Sequence, residues 1–282
     1  MKIVTVATHH NDDLERLLIS ARKFNIEVEL IGIGREYIDH YIKTDWLLEY
    51  LEGLDDNEIV LYTDGYDSVL LNDTSYIEEE FLKFNHPMVF GTEQNFNCMS
   101  SFFGKIGYFL KYPKGKKPYR YINAGGWIGR AGYAREILSK VVGGDDQSLL
   151  LKYITKNKTA IGHDIEQRIF SCMAGRTGME DRDYVLDDNG RIKNTNTGSN
   201  PAILHAAGKN FYGLYKVTRK LGFFPEEKFS DEEINQYKKS KFWNTLTAWT
   251  TADNYLFHLW LKIIVAILGM ATIALILGLI FN

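Results

Sequence analysis

The chain opens on a short β-branched run, Ile3-Val4-Thr5-Val6-Ala7, that ends in polar Thr8-His9-His10. One positive charge and no long apolar core precede the polar residues, so the segment reads as a first buried strand, not a secretory leader. Leu14, Leu17, Leu18 and Ala21 then recur at helical spacing, with Asp12 as the expected cap. Residues 28–33 predict a second strand closed by Gly32 and Gly34, and Thr44 opens a helix that uses Leu47, Leu48 and Leu51. Ile59-Val60-Leu61-Tyr62 is apolar on both faces, as a strand covered on both sides should be. A helix over 75–84 and a strand over 88–91 continue the alternation. Strands alternating with helices predict an α/β sheet with right-handed crossovers.

The second half is less regular. Helices are expected over 133–142 and 148–154, and Ala202-Ile203-Leu204 reads as a short buried strand ending at His205. Asn189-Gly190 lies between Tyr184-Val185-Leu186 and Arg191-Ile192, the pattern of a two-residue hairpin turn. Residues 210–254 are polar and rich in Lys, Glu and aromatics, which suggests a final wrap over the domain. From Ile263 to Phe281 no residue is charged. A helix of that length spans a hydrocarbon layer of about 30 Å. Trp243, Trp249, Tyr255, Phe257 and Trp260 supply aromatics at its entry, and Lys238, Lys239, Lys241 and Lys262 lie on the same side. Aromatics favour the interface and cations the cytoplasmic face, so the expectation is a tail anchor with the folded part in the cytosol. The expected organisation is a nucleotide-binding α/β domain over 1–210, a wrap and juxtamembrane linker over 211–258, and a transmembrane helix over 259–281.

Composition narrows the function classes. The 282 residues carry a net charge of −3 with both signs interspersed, so no basic field points to nucleic acid. Cys98 and Cys172 form no CxxC pair and read as ordinary thiols.

Four short segments carry candidate chemistry. Thr63-Asp64-Gly65-Tyr66-Asp67 follows an apolar strand, where ligands bind in open α/β sheets. Side chains three apart on a strand face opposite ways, so Asp64 and Asp67 meet one cation only if the chain turns at Gly65. The competing reading is a plain Asx-type turn. In Asn123-Ala124-Gly125-Gly126-Trp127-Ile128-Gly129, Gly125 and Gly126 let backbone approach a ligand, although glycine pairs mostly mark turns. Asp145-Asp146 opens a helix, either as a cap or with a carboxylate beneath a reacting sugar carbon. His205-Ala206-Ala207-Gly208-Lys209 offers an imidazole to complete a metal shell, with Gly208 and Lys209 available to a diphosphate; a structural histidine is the alternative. His9, His10, His40 and His163 read as structural.

In this order the segments resemble the glycosyltransferase domain of the procollagen lysyl hydroxylases, a lysyl-hydroxylase/glycosyltransferase group with a GT-A fold. The resemblance runs from about Lys2 to Lys209 and includes Thr5-Val6-Ala7-Thr8 and Asp164 to Phe170. It implies a Rossmann-type, GT-A-like domain with a mixed central sheet. It further implies Mn²⁺, or alternatively Mg²⁺, held by Asp64, Asp67 and His205 on a UDP diphosphate. Tyr66 would pack on uracil, Thr8 would line the nucleotide pocket, and Lys43 would stand on the phosphate side. Asn123 and Asp146 would lie near the sugar. The implied reaction moves a hexose from UDP-glucose or UDP-galactose to a hydroxyl acceptor. Two other classes stay open: a catalytically silent, membrane-anchored nucleotide-sugar-binding module, and a nucleotidyltransferase on a similar fold.

Overall fold

The computed structural model describes residues 1–38, 42–94, 96, 98, 100, 102–114, 118–173, 183–207, 211–220, 222, 263–264, 266–274 and 276–277. In chain order the elements are β1 (Lys2–Val6), α1 (Asp12–Lys23), β2 (Glu29–Ile31), α2 (Ile42–Glu52), β3 (Ile59–Thr63), β4 (Ser68–Leu70), α3 (Thr74–Leu82), β5 (Met88–Glu93), α4 (Phe102–Lys111) and β6 (Tyr121–Arg130). There follow α5 (Ala131–Leu138), α6 (Asp146–Lys156), β7 (Gly162–Asp164), β8 (Phe170–Cys172), β9 (Tyr184–Leu186), β10 (Ile192–Asn194), β11 (Ile203–His205) and α7 (Phe211–Lys220).

A six-stranded sheet in the order β2-β1-β3-β6-β5-β7 forms the frame. β1 runs parallel to β2 and β3, β6 runs antiparallel to β3 and β5, and β7 is parallel to β5. The sheet is therefore mixed, and its reversal falls at β6. Alternation along each strand splits the core in two, because neighbouring side chains point to opposite faces. Val60 and Tyr62 of β3, with Trp127 of β6, pack under α2, α5 and α6 through Leu47, Leu51, Ile137 and Leu150. Ile59 and Leu61, with Ile128, pack under α1 and α3 through Leu14, Leu17, Ile77 and Phe81. A three-stranded sheet, β4-β11-β8, lies on that second side. A third cluster joins Val69, Leu204, Tyr184 and Ile192 to Leu214 and Val217 of α7.

Local details depart from the pattern-based expectations for identifiable reasons. The α1 cap is Asn11, whose side chain accepts from the Leu14 N–H at 2.9 Å, so Asp12 sits inside the first turn. Thr44 is buried within α2, two residues past its start. The hairpin between β9 and β10 forms, pairing Ile192 with Leu186. Its connection spans residues 187–191 instead of two residues, because the Asp187 carboxylate accepts N–H bonds from Asn189 at 3.0 Å and Arg191 at 2.8 Å. Helix α4 carries no counterpart among the predicted elements.

Cys98 and Cys172 are both buried thiols. Near the C-terminus, residues 263–264, 266–274 and 276–277 are helical, with Ile264, Leu268 and Ile273 exposed. Among the described residues no helix is long and apolar enough to cross a membrane. The aromatic and lysine-rich approach over 223–262 lies outside the described residues.

His163 on β7 fixes a pH dependence. Its Nε2 is buried without a hydrogen-bond partner among the described residues. Burial, reinforced by the nearby His86, lowers its pKa to about 4. The unfolded chain takes up this proton at pH about 6.5 and the folded chain only near 4, so stability is lost as pH falls across that window. Roughly 2.5 pH units at about 1.4 kcal/mol each bound the loss at about 3.5 kcal/mol. Asp164 slopes the other way, since burial raises its pKa to about 6 against the N–H bonds of Phe170, Arg168 and Ile169. Urea unfolding of the wild type and of His163→Gln at pH 7 and pH 5 should therefore show the variant losing less stability on acidification.

Candidate metal centre

Strand pairing assembles the centre. β3 ends at Thr63, opposite Gly126 of β6, and the Asp64 N–H continues the ladder onto the Gly125 carbonyl at 2.9 Å. The chain then turns through Gly65 and Tyr66 into β4, which pairs antiparallel with β11 so that Ser68 faces His205. The Ala206 N–H donates to the Asp67 carbonyl at 2.7 Å. Two carboxylates from the β3–β4 connection thus meet an imidazole at the carboxyl end of β11. Gly65 has no left-handed backbone; it is required because a Cβ would stand 2.6 Å from Thr5 Oγ1 on β1.

His205 Nε2 lies 3.3 Å from Asp67 Oδ1 and 3.6 Å from Asp64 Oδ2. One ligand atom from each of Asp64, Asp67 and His205 falls within 4.8 Å of the others. Asp67 Oδ1 and His205 Nε2 are buried and have no hydrogen-bond partner among the described residues. With His205 protonated the two form an ion pair at 3.3 Å; with His205 neutral both atoms go unsatisfied at about 1–3 kcal/mol each, which leaves a place that a cation can fill. Two carboxylates and an imidazole form a donor set that fits a divalent ion of the Mn²⁺ or Mg²⁺ type.

The glycines of β6 make the room. They lie in mid-strand, in place of the turn that a glycine pair suggests. A Cβ at Gly125 would stand 2.6 Å from Asp64 Oδ2 and 2.8 Å from His205 Nε2, and nearer still to the ring carbon Cε1. At Gly126 it would meet the Phe170 ring at 2.6 Å.

A second layer of charge surrounds Asp64. Lys43 Nζ is 3.3 Å from Asp64 Oδ1 and 2.6 Å from Asp146 Oδ2, and it lies 5.7 Å from the Tyr62 ring centre. The Tyr62 hydroxyl donates to the same Asp64 oxygen. Burial by itself would raise the Asp64 pKa, but Lys43, His205 and the Tyr62 bond outweigh it and hold the group near 2. Burial would likewise lower Lys43 and His205. Asp64, Tyr62 and Asp146 around Lys43 reverse that, as Asp67 does for His205, and both stand well above their ordinary values. Burial and Asp64 push the Tyr62 phenol far up, which keeps it a donor.

The other expected residues fall around this centre. Thr8 and His9 donate their N–H groups to the Tyr66 hydroxyl at 3.0 and 3.2 Å, and that hydroxyl donates to the His9 carbonyl at 3.0 Å. The His9 and Tyr66 rings lie 5.4 Å apart. Asn123 donates to buried Glu93 at 3.0 Å and accepts from the Gly125 N–H at 2.9 Å. Asp145 caps α6 by accepting from the Ser148 N–H at 2.9 Å, whereas Asp146 reaches the cluster through Lys43. Gly208 and Lys209 lie outside the described residues.

Tyr62 and Glu93 escaped the sequence reading, His9 was read as structural, and Gln147 was noted only as the residue after the Asp145-Asp146 pair. Gln147 accepts from the Ala124 N–H and donates to the Ile122 carbonyl, both at 2.7 Å. Tyr62 had a usable signal, because a residue two before Asp64 on a strand shares its face. His9 and Glu93 had none, since only tertiary pairing places them.

The model of the PLOD GT domain family matches residues 1–222, so the chain belongs to that family of glycosyltransferase domains. Procollagen-lysine,2-oxoglutarate 5-dioxygenase 2 of Mus musculus is 29 % identical over 237 residues, covering 76 % of this chain and 31 % of the relative. The multifunctional procollagen lysine hydroxylase and glycosyltransferase LH3 of Homo sapiens is 26 % identical over 236 residues, with the same coverage of both chains. The chain therefore spans about a third of the length of these relatives. An uncharacterized protein of Acanthamoeba polyphaga mimivirus is 25 % identical over 255 residues, covering 83 % of this chain and 51 % of that protein. Among solved structures, the galactosyltransferase LgtC with donor and acceptor sugar analogues superposes with a TM-score of 0.45 at 16 % identity, covering 82 % of this chain and 98 % of LgtC.

The crowding at Gly125 makes a direct prediction. Gly125→Ala should cost about 1–3 kcal/mol in urea unfolding, by forcing His205 aside in a packed interior. Gly107→Ala, where a Cβ meets no atom within 4 Å, serves as the control and should not show that loss.

Proposed function

We propose that the domain transfers a hexose from UDP-glucose or UDP-galactose to a hydroxyl acceptor, with Mn²⁺, or alternatively Mg²⁺, held by Asp64, Asp67 and His205. The observation that carries this reading is the pair of buried atoms, Asp67 Oδ1 and His205 Nε2, that face one another beside Asp64 with no hydrogen bond among the described residues. Membership of the glycosyltransferase-domain family supports the reaction class, and the names of the relatives suggest hydroxylysine-linked protein or another glycan as acceptor.

Bound at this centre, the divalent ion would act as Lewis acid for the departing nucleoside diphosphate. The remaining work falls to the chain. Tyr66, tied to the Thr8 and His9 backbone, presents an aromatic face for the uracil ring. Lys43 supplies a cation for the phosphates, and Asp146 and Asn123 lie on the sugar side. Lys43 already pairs with Asp64 and Asp146, so an incoming diphosphate would share its charge with them. Gly208 and Lys209, three and four residues after His205 in sequence, are the further candidates for the diphosphate.

Calorimetric titration of UDP with and without Mn²⁺ tests the site. UDP should bind in a metal-dependent manner, and Asp64→Ala and His205→Ala should abolish that dependence; unchanged binding in both variants means the site is wrongly placed. Assays with UDP-glucose and UDP-galactose should release UDP. Pyrophosphate release would instead mark a nucleotidyltransferase, and binding without turnover of either donor on any acceptor would mark a silent binding module.

We propose further that residues 259–281 anchor the protein in a membrane with the domain facing the cytosol. The support is the uncharged run from Ile263 to Phe281, flanked on one side by aromatics and lysines. The protein should stay in the pellet after alkaline carbonate extraction and be digested by protease added on the cytosolic side. Release into the supernatant, or protection from that protease, would refute the anchor or its orientation respectively.

A further inference from the structure

We propose that Tyr62 is a positioning residue of the metal centre: it holds one oxygen of Asp64 so that the other stays turned toward His205 and Asp67. The inference rests on the metal-site reading above and extends it to a residue outside the ligand set.

The Asp64 carboxylate is divided between two environments. Its Oδ1 receives the Tyr62 hydroxyl and stands 3.3 Å from Lys43 Nζ. Its Oδ2 lies 3.6 Å from His205 Nε2. The terminal torsion of an aspartate is broad and nearly two-fold, so nothing intrinsic to the side chain keeps the oxygens in these places. Lys43 alone is a poor guide, because its ammonium sits on a flexible stem and is shared with Asp146 at 2.6 Å.

Tyr62 is the rigid donor. It precedes Asp64 by two residues on the same strand face, which sets the hydroxyl beside the carboxylate by backbone geometry alone. Its ring stacks on Trp127, with centres 5.8 Å apart and planes at 28°. Each of the two side chains is only 1 % exposed, so the tyrosine has no room for another rotamer. Trp127 is paired opposite Tyr62 in the β3–β6 register, and the stack is therefore fixed by the sheet itself. Partners that orient a ligating carboxylate typically change metal affinity 10–100-fold when removed.

Mn²⁺ binding to the full chain without nucleotide, followed by electron paramagnetic resonance, tests the inference on wild type, Tyr62→Phe and Asp64→Ala. Tyr62→Phe keeps the stacked ring and should weaken Mn²⁺ by about 10–100-fold. Excess Mn²⁺ should restore UDP binding in this variant and fail to do so in Asp64→Ala. If Tyr62→Phe binds Mn²⁺ as wild type does while Asp64→Ala does not, the positioning role is overturned and the metal site stands. If wild type and Asp64→Ala bind alike, the metal site itself falls, and this inference with it. Should Tyr62→Phe fail to fold, as judged by loss of its melting transition in chelator, Trp127→Phe carries the test by loosening the stack; unaltered Mn²⁺ affinity there overturns the proposal.

Discussion

The antiparallel pairing of β4 with β11 is the contact on which the site depends. It sets Ser68 against His205 and, through the Ala206 N–H on the Asp67 carbonyl, brings an imidazole from late in the chain beside a carboxylate near residue 67. The other two members of the donor set, Asp64 and Asp67, are local to the end of β3 and the turn that follows it. Without this pairing Asp64 and Asp67 would form an ordinary acidic turn. A slip of one residue would turn His205 to the opposite face of its sheet, and the apolar partners Leu70 and Ile203, both fully buried, hold the register against that.

The centre is also a balance of burial against charge. Burial alone would drive Asp64 toward its neutral acid and Lys43 toward its neutral amine. Mutual proximity reverses both tendencies, and each group makes the charge of the other tolerable. Asp146 joins this network through Lys43, so one cation links a carboxylate at the end of β3 to a carboxylate in the first turn of α6. The price falls on Asp67 and His205, whose facing atoms make no hydrogen bond among the described residues and meet only as an ion pair.

Much of the frame was legible in the residue pattern. The apolar runs at Ile3–Ala7, Ile59–Tyr62 and Ala202–Leu204 each became buried strands, because periodicity reports directly on which side chains leave water. Cap and turn chemistry was read less well. Asn11 and Asp12 are adjacent and equally suited to capping, and sequence alone does not choose between them. The Asn189-Gly190 pair suggested the tightest turn, but the Asp187 carboxylate drew the loop out to five residues. At the centre itself, Asp64, Asp67 and His205 stood out as donor types at strand ends. Gly125 and Gly126 were read as letting backbone come close to a ligand, with a turn as the alternative; they lie inside a continuous strand, where they clear space for Asp64, His205 and Phe170. An absence of side chain carries meaning only once the neighbours that fill the space are known.

Gln147 has a bearing on geometry beyond its two hydrogen bonds. By accepting from Ala124 and donating to Ile122, its amide imitates a peptide unit of a neighbouring strand and adds, in effect, one more rung beside β6. Helix α6 is thereby riveted to the same strand that carries Gly125. The spacing between Asp146 and Asp64 then becomes a dimension of the sheet, as on a machined part, and owes nothing to the segment of chain that leads from α5 into α6. Insertions or deletions in that connection should leave the two carboxylates at the same separation.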